Sequence, residues 1–314
     1  MSYILLLVGF IALIKGADYF IDGASSIALY LKITPLIIGL TIVAFGTSAP
    51  ELAVSITSAL QGQNAMSLGN VIGSNIFNFM VVVGASAVIF PLTVQDGVLS
   101  KEFPIAIVST IIVAILGMDW VFSKEGALSR NDGIILLVFF SMFILYLIQV
   151  AIKAYKNNEP VDDINLLPLN KSIIFAICGA IGIFIGGDLV VNNSVKIALD
   201  LGMSERMVGL TIIAVGTSLP ELVTSITAAR KGESDIALGN VLGSSIFNTF
   251  LILGVSTSIN PINVNQEVFI DLFFMLDATL IAYIFATTSR KIKRTEGILL
   301  LIGYFSYMTY IIFR

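Results

Sequence analysis

Histidine is absent from this 314-residue chain, and cysteine occurs once, at Cys178. These gaps exclude His-based metal centres, a Ser-His-Asp triad and a disulfide framework, and one thiol makes no redox pair. Charge is scarce too: 12% of residues are charged, where a soluble domain carries about 25%, and 57% are hydrophobic. With a mean hydropathy of +0.97 there is too little polar surface to wrap a water-soluble core. Apolar runs of the ~20 residues needed to cross a bilayer recur along the whole length. The composition is that of an all-α membrane protein. The net charge of −4 comes with no basic cluster beyond Arg290 to Arg294, which argues against a nucleic-acid partner. The first apolar segment lacks the basic lead of a signal peptide and is expected to be a helix of the mature protein.

Hydropathy and helix breakers predict about ten transmembrane helices, at roughly 2–30, 35–60, 66–90, 102–122, 131–155, 171–200, 205–230, 235–258, 267–288 and 295–313. The polar stretch 156–170 reads as a linker between a first five-helix unit, 1–155, and a second, 171–314. Loops after odd-numbered spans hold most of the basic residues, among them Lys32, Lys101, Lys153, Lys156, Lys231 and the Arg290–Arg294 cluster. The positive-inside rule therefore predicts a multi-pass protein of the cell membrane, with the linker cytoplasmic and both termini outside.

An internal repeat organises the chain. Gly39-Leu-Thr-Ile-Val-Ala-Phe-Gly-Thr-Ser-Ala-Pro-Glu51 matches Gly209-Leu-Thr-Ile-Ile-Ala-Val-Gly-Thr-Ser-Leu-Pro-Glu221 at an offset of 170. The same offset aligns Leu68–Asn78 with Leu238–Asn248 and Gly16-Ala-Asp18 with Gly186-Gly-Asp188. Roughly 25 of about 40 positions from 39 to 78 are identical to their partners, more than shared hydrophobicity gives. Five spans per unit is odd, so the second copy must enter the membrane from the opposite side. The expected architecture is two inverted five-helix repeats with broken helices at the midplane, a construction of secondary transporters.

The breaks come from Pro50 and Pro220. A proline within a helix removes one hydrogen bond and pushes away the carbonyl four residues back, here Gly46 and Gly216. Such carbonyls are not tolerated against lipid, but beside an ion-filled cavity they become ligands. Thr47 and Glu51 are four apart and share a helix face. An acid near the bilayer centre costs roughly 2.5–3.5 kcal/mol on insertion scales, so Glu51 and Glu221 each call for a cation or proton. Ser74 with Asn78 and Ser244 with Asn248 place a hydroxyl and an amide on one face, while Gly69, Gly73, Gly239 and Gly243 make small-residue notches for helix packing. The candidate ligands are all oxygens, which suits a hard cation such as Ca²⁺, with its 6–8 oxygen ligands, and leaves soft metals without a preferred donor. Asp18 and Asp188 match across the repeat and fit either an access path or a helix anchor. Asp22, Asp200, Asp271 and Asp277 lack an acidic counterpart and are expected near interfaces or in structural pairs.

At these motifs the chain resembles the calcium/cation antiporter superfamily, whose two α-repeats carry Gly-Thr-Ser-x-Pro-Glu and Gly-Ser-x-x-x-Asn patterns. Among its members the chain is most similar to prokaryotic sodium/calcium exchangers. The resemblance implies that Glu51 and Glu221 are shared Ca²⁺ and Na⁺ ligands, helped by the carbonyls of Thr47 and Thr217. It implies flanking Na⁺ sites built from Ser48, Ser74, Asn78, Ser218, Ser244 and Asn248, with the carbonyls of Ala44 and Ala214. Potassium-dependent exchangers, and some prokaryotic sodium/calcium exchangers, have Asp where this chain has Asn248, so the site here carries two carboxylates. Proton/calcium exchangers usually have a Gly-Asn-x-x-Glu pattern that is absent here. The expected function is a Na⁺/Ca²⁺ antiporter working by alternating access, with an H⁺/Ca²⁺ antiporter as the alternative. It is expected to be no enzyme, to use no cofactor, and to need no obligatory protein partner beyond its lipid bilayer.

Overall fold

The computed structural model describes residues 2–62, 64–119, 126–157, 167–202, 214–264 and 266–313. The chain is helical nearly throughout. In order come α1 (Ser2–Tyr30), α2 (Pro35–Thr47), α3 (Ala49–Leu60), α4 (Met66–Ile89), α5 (Val98–Leu116), α6 (Arg130–Asn157), α7 (Leu169–Asp200), α8 (Ala214–Thr217), α9 (Leu219–Arg230), α10 (Ser234–Ile259), α11 (Gln266–Ser289) and α12 (Arg294–Phe313). Seven of these helices are long and apolar enough to cross a membrane, or eight where the bent pair α2 and α3 is counted as one span. Where residues are described, the expected limits fall within two residues of helix limits except at 102–122, where the helix is Val98–Leu116, and α12 is not among the seven. The linker expected at 156–170 lies mostly outside the described residues, as does the start of the seventh expected span.

Two strand pairs, which hydropathy did not anticipate, tie the helix ends. β1 (Leu92–Thr93) pairs antiparallel with β4 (Lys291–Ile292), and β2 (Gly126–Leu128) with β3 (Ile262–Val264). Each gives backbone groups between helices a hydrogen-bonding partner within the protein.

The burial pattern is that of a membrane fold. Leu7, Ile11, Leu145, Ile148, Ile177 and Phe184 are exposed on the outer helices, while Thr47, Glu51, Ser74, Asn75, Asn78 and their counterparts are buried at the centre. Of the most apolar stretch of α10, 94% is buried, against 17% for α6, so α10 runs through the middle and α6 along the margin. The long helices α1 and α7 pack antiparallel over most of their length, and glycine makes this possible. A Cβ on Gly16 would lie 2.6 Å from the backbone nitrogen of Ile183, and one on Gly186 would lie 2.5 Å from that of Leu13. The notch expected of glycine pairs holds in α10, where a Cβ on Gly239 would meet the Leu36 carbonyl at 2.8 Å. A Cβ on Gly69 or Gly73 would meet no described residue within 4 Å outside its own helix, and the counterpart of Leu36 in the second half lies outside the described residues.

Candidate functional site

Proline sets the helix break. It has no N–H to donate and fits the first turn of a helix, so α3 starts at Ala49 with Pro50 second and Glu51 behind it. Ser48 sits at the break with φ −85° and ψ 5°, and α2 and α3 meet at 48°. Between α8 and α9 the step recurs at Ser218, φ −94° and ψ 7°, ahead of Pro220 and Glu221. Each glutamate thus lies in the first turn of a helix, where free N–H groups favour negative charge.

The two breaks face each other. Ser218 Oγ donates to Glu51 Oε1 at 3.1 Å, and Ser48 Oγ donates to Glu221 Oε1 at 3.1 Å, so each half's serine holds the other half's glutamate. Ser218 also bonds Ser74 at 3.0 Å, and Thr47 Oγ1 lies 2.9 Å from Asn240 Oδ1 and 3.4 Å from Ser244 Oγ. Glu51, Glu221, Asn78 and Asn248 are all 0% exposed. The Oε2 atom of each glutamate, Oδ1 of Asn248 and both amide atoms of Asn78 have no hydrogen-bond partner among the described residues. Neither glutamate has an ion-pair partner there either, and no group of three or more Asp, Glu, His or Cys side chains that could hold a metal ion occurs among them. Burying an ionised carboxylate costs several kcal/mol after relaxation, so two of them require cations or protons to offset their charge.

Of the expected site residues, Glu51, Glu221, Thr47, Thr217, Ser48, Ser218, Ser74, Asn78, Ser244 and Asn248 are all buried, none more than 7% exposed. The Ala44 carbonyl accepts the Ser48 N–H at 3.0 Å across the break and keeps its second lone pair, since the single Thr47 hydroxyl proton has a nearer acceptor in Asn240 Oδ1. In the second half the Ser218 N–H goes instead to Val215, at 3.2 Å. Asn78 and Asn248 each lie in a π-wound stretch, Asn78–Val82 and Phe247–Ile252, a local widening frequent at functional sites.

A ring of supporting residues escaped the sequence reading. Asn70 Nδ2 bonds Ser55 Oγ at 3.0 Å and the Glu51 carbonyl at 3.3 Å, and Asn240 repeats this with Ser225 at 2.9 Å and the Glu221 carbonyl at 3.4 Å. These asparagines tie each glutamate helix to the helix after it. Their signal was present, since Asn70, Asn240, Ser55 and Ser225 all match across the repeat.

Asp18 and Asp188 part company. Lys231 Nζ donates to Asp22 at 2.7 Å and to the Asp18 carbonyl at 2.8 Å, closing α1 onto the loop after α9. Asp188 instead accepts Asn192 Nδ2 at 2.9 Å and lines a cavity of about 390 Å³. Thr217, Pro50 and Pro220 border the same cavity, so it leads to both helix breaks.

The family described as sodium/calcium exchanger protein matches residues 1–149 and 171–313. The chain belongs to the sodium/calcium exchanger family. Like other exchangers of the family it is a multi-pass membrane transporter, a cation/Ca²⁺ antiporter and not an enzyme. It is 33% identical to the sodium/calcium exchanger MaX1 of Methanosarcina acetivorans, over 98% of this chain and 97% of that one. It is 36% identical to the inner membrane protein YrbG of Escherichia coli, over 82% of this chain and 79% of that one. The solved sodium-calcium exchanger NCX_Mj superposes with a TM-score of 0.85 at 32% identity, over 98% of each chain.

Proposed function

We propose that this exchanger moves Ca²⁺ against Na⁺ across the cell membrane by alternating access around one midplane site. The observation that carries the reading is the pair of fully buried glutamates, each held by the opposite half's serine and each keeping one oxygen unpartnered among the described residues. Two carboxylates neutralise one Ca²⁺ or two Na⁺, so the two ions compete, and competition at one site is the basis of exchange. Glu51 and Glu221 would bind both ions, with the carbonyls of Thr47 and Thr217 adding oxygens for Ca²⁺. Ser48, Ser74, Asn78, Ser218, Ser244 and Asn248, with the carbonyls of Ala44 and Ala214, would complete the Na⁺ sites. Protons need only a base, whereas Na⁺ needs a shell of oxygens, and these neutral groups are buried around the glutamates. MaX1 carries the name of a sodium/calcium exchanger, and NCX_Mj is described with Na⁺, Ca²⁺ and Sr²⁺.

The finer topology belongs to the same proposal: ten spans in two inverted repeats, the linker cytoplasmic, both termini outside. In that count the loops joined by β1 and β4 share one side, and those joined by β2 and β3 share the other. Single cysteines at Asn64 and Ser234, in a chain whose exposed Cys178 is replaced by Ala, test it. An impermeant thiol reagent on intact cells is expected to label the first and spare the second, and labelling of both would contradict the inversion. For the transport reading, purified protein in proteoliposomes is expected to move Ca²⁺ when a Na⁺ gradient is imposed at constant pH without K⁺. A pH gradient that drives equal flux, to which Na⁺ adds nothing, would replace this reading by H⁺/Ca²⁺ exchange.

A further inference from the structure

Where α4 crosses α10, one asparagine that the repeat does not duplicate touches the site. Asn75 Nδ2 donates to Thr249 Oγ1 at 2.9 Å and to the Ser245 carbonyl at 3.3 Å, and Asn75 Oδ1 accepts Asn248 Nδ2 at 3.1 Å. All four residues are at most 1% exposed, so no water competes for these bonds.

Counting protons fixes which way each amide points. The Thr249 hydroxyl spends its only proton on the Ser245 carbonyl, at 2.8 Å, and toward Asn75 it can only accept. The Ser245 carbonyl accepts only. Both face Asn75, which must therefore present its NH₂ to them and its Oδ1 to the other side. Asn248 must answer that oxygen with its own NH₂, and its Oδ1 is left buried and without a partner among the described residues. Turning Asn75 over would set oxygen against oxygen in a dry interior, where an unmade hydrogen bond costs about 1–3 kcal/mol.

The other half has no such device. Ser245 stands at the counterpart of Asn75 and Phe79 at that of Thr249. Accordingly Asn78 has both amide atoms unpartnered among the described residues.

We infer that Asn75 is a positioning residue, locked by Thr249 and Ser245, that holds Asn248 with its carbonyl oxygen offered to the cations between the glutamates. The inference rests on the Na⁺/Ca²⁺ reading above and adds that the Asn248 side is a preset oxygen ligand while the Asn78 side is adjustable. Because Asn248 belongs to the Na⁺ shell and the glutamates to both ions, losing the lock weakens Na⁺ more than Ca²⁺.

The test is Na⁺ competition against radiolabelled Ca²⁺ binding to the purified full chain. N75S, which copies the other half, is expected to raise the half-inhibiting Na⁺ concentration roughly fivefold, the factor one hydrogen bond is worth, with Ca²⁺ affinity within about twofold of wild type. T249V removes the acceptor that pins Asn75 and is expected to shift Na⁺ in the same direction by less, while T249S, which keeps the hydroxyl, restores it. If N75S does not fold, the two Thr249 variants carry the test. Equal losses for Na⁺ and Ca²⁺, or variants that compete like a Na⁺-sensitive wild type, would overturn the lock alone. A wild type whose Ca²⁺ binding ignores Na⁺ would overturn the function proposed above and the lock with it.

Discussion

Around Glu51 and around Glu221 the two halves repeat Gly-Thr-Ser-x-Pro-Glu and Gly-Ser-x-Ile-Phe-Asn at the same spacing. The loops that follow the two glutamate helices share only a glycine: Gln61-Gly-Gln-Asn-Ala65 in the first half, Lys231-Gly-Glu-Ser-Asp235 in the second. The structure deepens the contrast. At the centre the bonds are reciprocal, with Ser48 on Glu221 and Ser218 on Glu51. At the ends they are not. Lys231 fastens the α1 end to Asp22, while the α7 end, with Asn192 at the counterpart of Asp22, borders the cavity. Packing follows suit, since Ile21 is fully buried and its counterpart Val191 lines that cavity. The ion site proposed above, serving both access states, would gain from symmetry, because the same ligands would have to be reached from either side. A gate does not, since its ends only decide which side opens.

The strongest way to break the central symmetry is to remove one charge. Glu51→Gln and Glu221→Gln each keep side-chain size and delete one of two carboxylates. Each is expected to lower Ca²⁺ exchange in proteoliposomes by at least about thirtyfold, in line with the 2–5 kcal/mol for truncating a buried charged partner. Equal losses would sharpen the comparison. Near wild-type exchange in either variant would remove that glutamate from the site.

The centre was legible in the sequence for the reason it is symmetric: a motif written twice stands out from shared hydrophobicity, and proline marks the break. Helix limits were legible because lipid demands long apolar runs, and α1, expected at 2–30, spans Ser2–Tyr30. What escaped was nonlocal, as with Asn70 on Ser55, or unrepeated, or a matter of backbone geometry. The Lys231–Asp22 pair joins residues 209 apart, and the strand pairs involve two or three residues each. Asn75 has no duplicate to announce it. The π winding at Asn78 and Asn248 is backbone geometry that no residue pattern here encodes.

The ends offer a milder test. Lys231→Gln copies Gln61 and removes the ion pairs to Asp22 and Asp18, whose side chains are 47% and 35% exposed. Pairs this open to solvent are worth up to about 1 kcal/mol, so the α1 side should open more often by up to about fivefold. A cysteine at the buried Ile21, in the chain with Cys178 replaced by Ala, reports that opening through its rate of thiol labelling in purified protein. The rate is expected to rise in Lys231→Gln, and less so at high salt, where the wild-type pair is screened as well. An unchanged rate at low salt would mean that Lys231 holds nothing shut.

The smallest effect concerns Glu233, whose counterpart is the neutral Gln63. Burial, and then the negative charge of Asp235, push the Glu233 carboxyl above the usual carboxylate range, against the pull of Lys231. The folded state therefore holds this proton more tightly than the unfolded chain does. Its contribution to stability is present in full below the ordinary value of 4.5 and is lost as pH rises through the raised folded value. Above that window the ionised group is a net cost, so Glu233→Gln should flatten this part of the pH profile and leave the protein slightly more stable at neutral pH. Thermal unfolding of the detergent-solubilised chain across mildly acidic to neutral pH measures both. A variant whose midpoint follows the wild-type curve over the whole range would show that the charged loop differs from its neutral counterpart in sequence but not in energy.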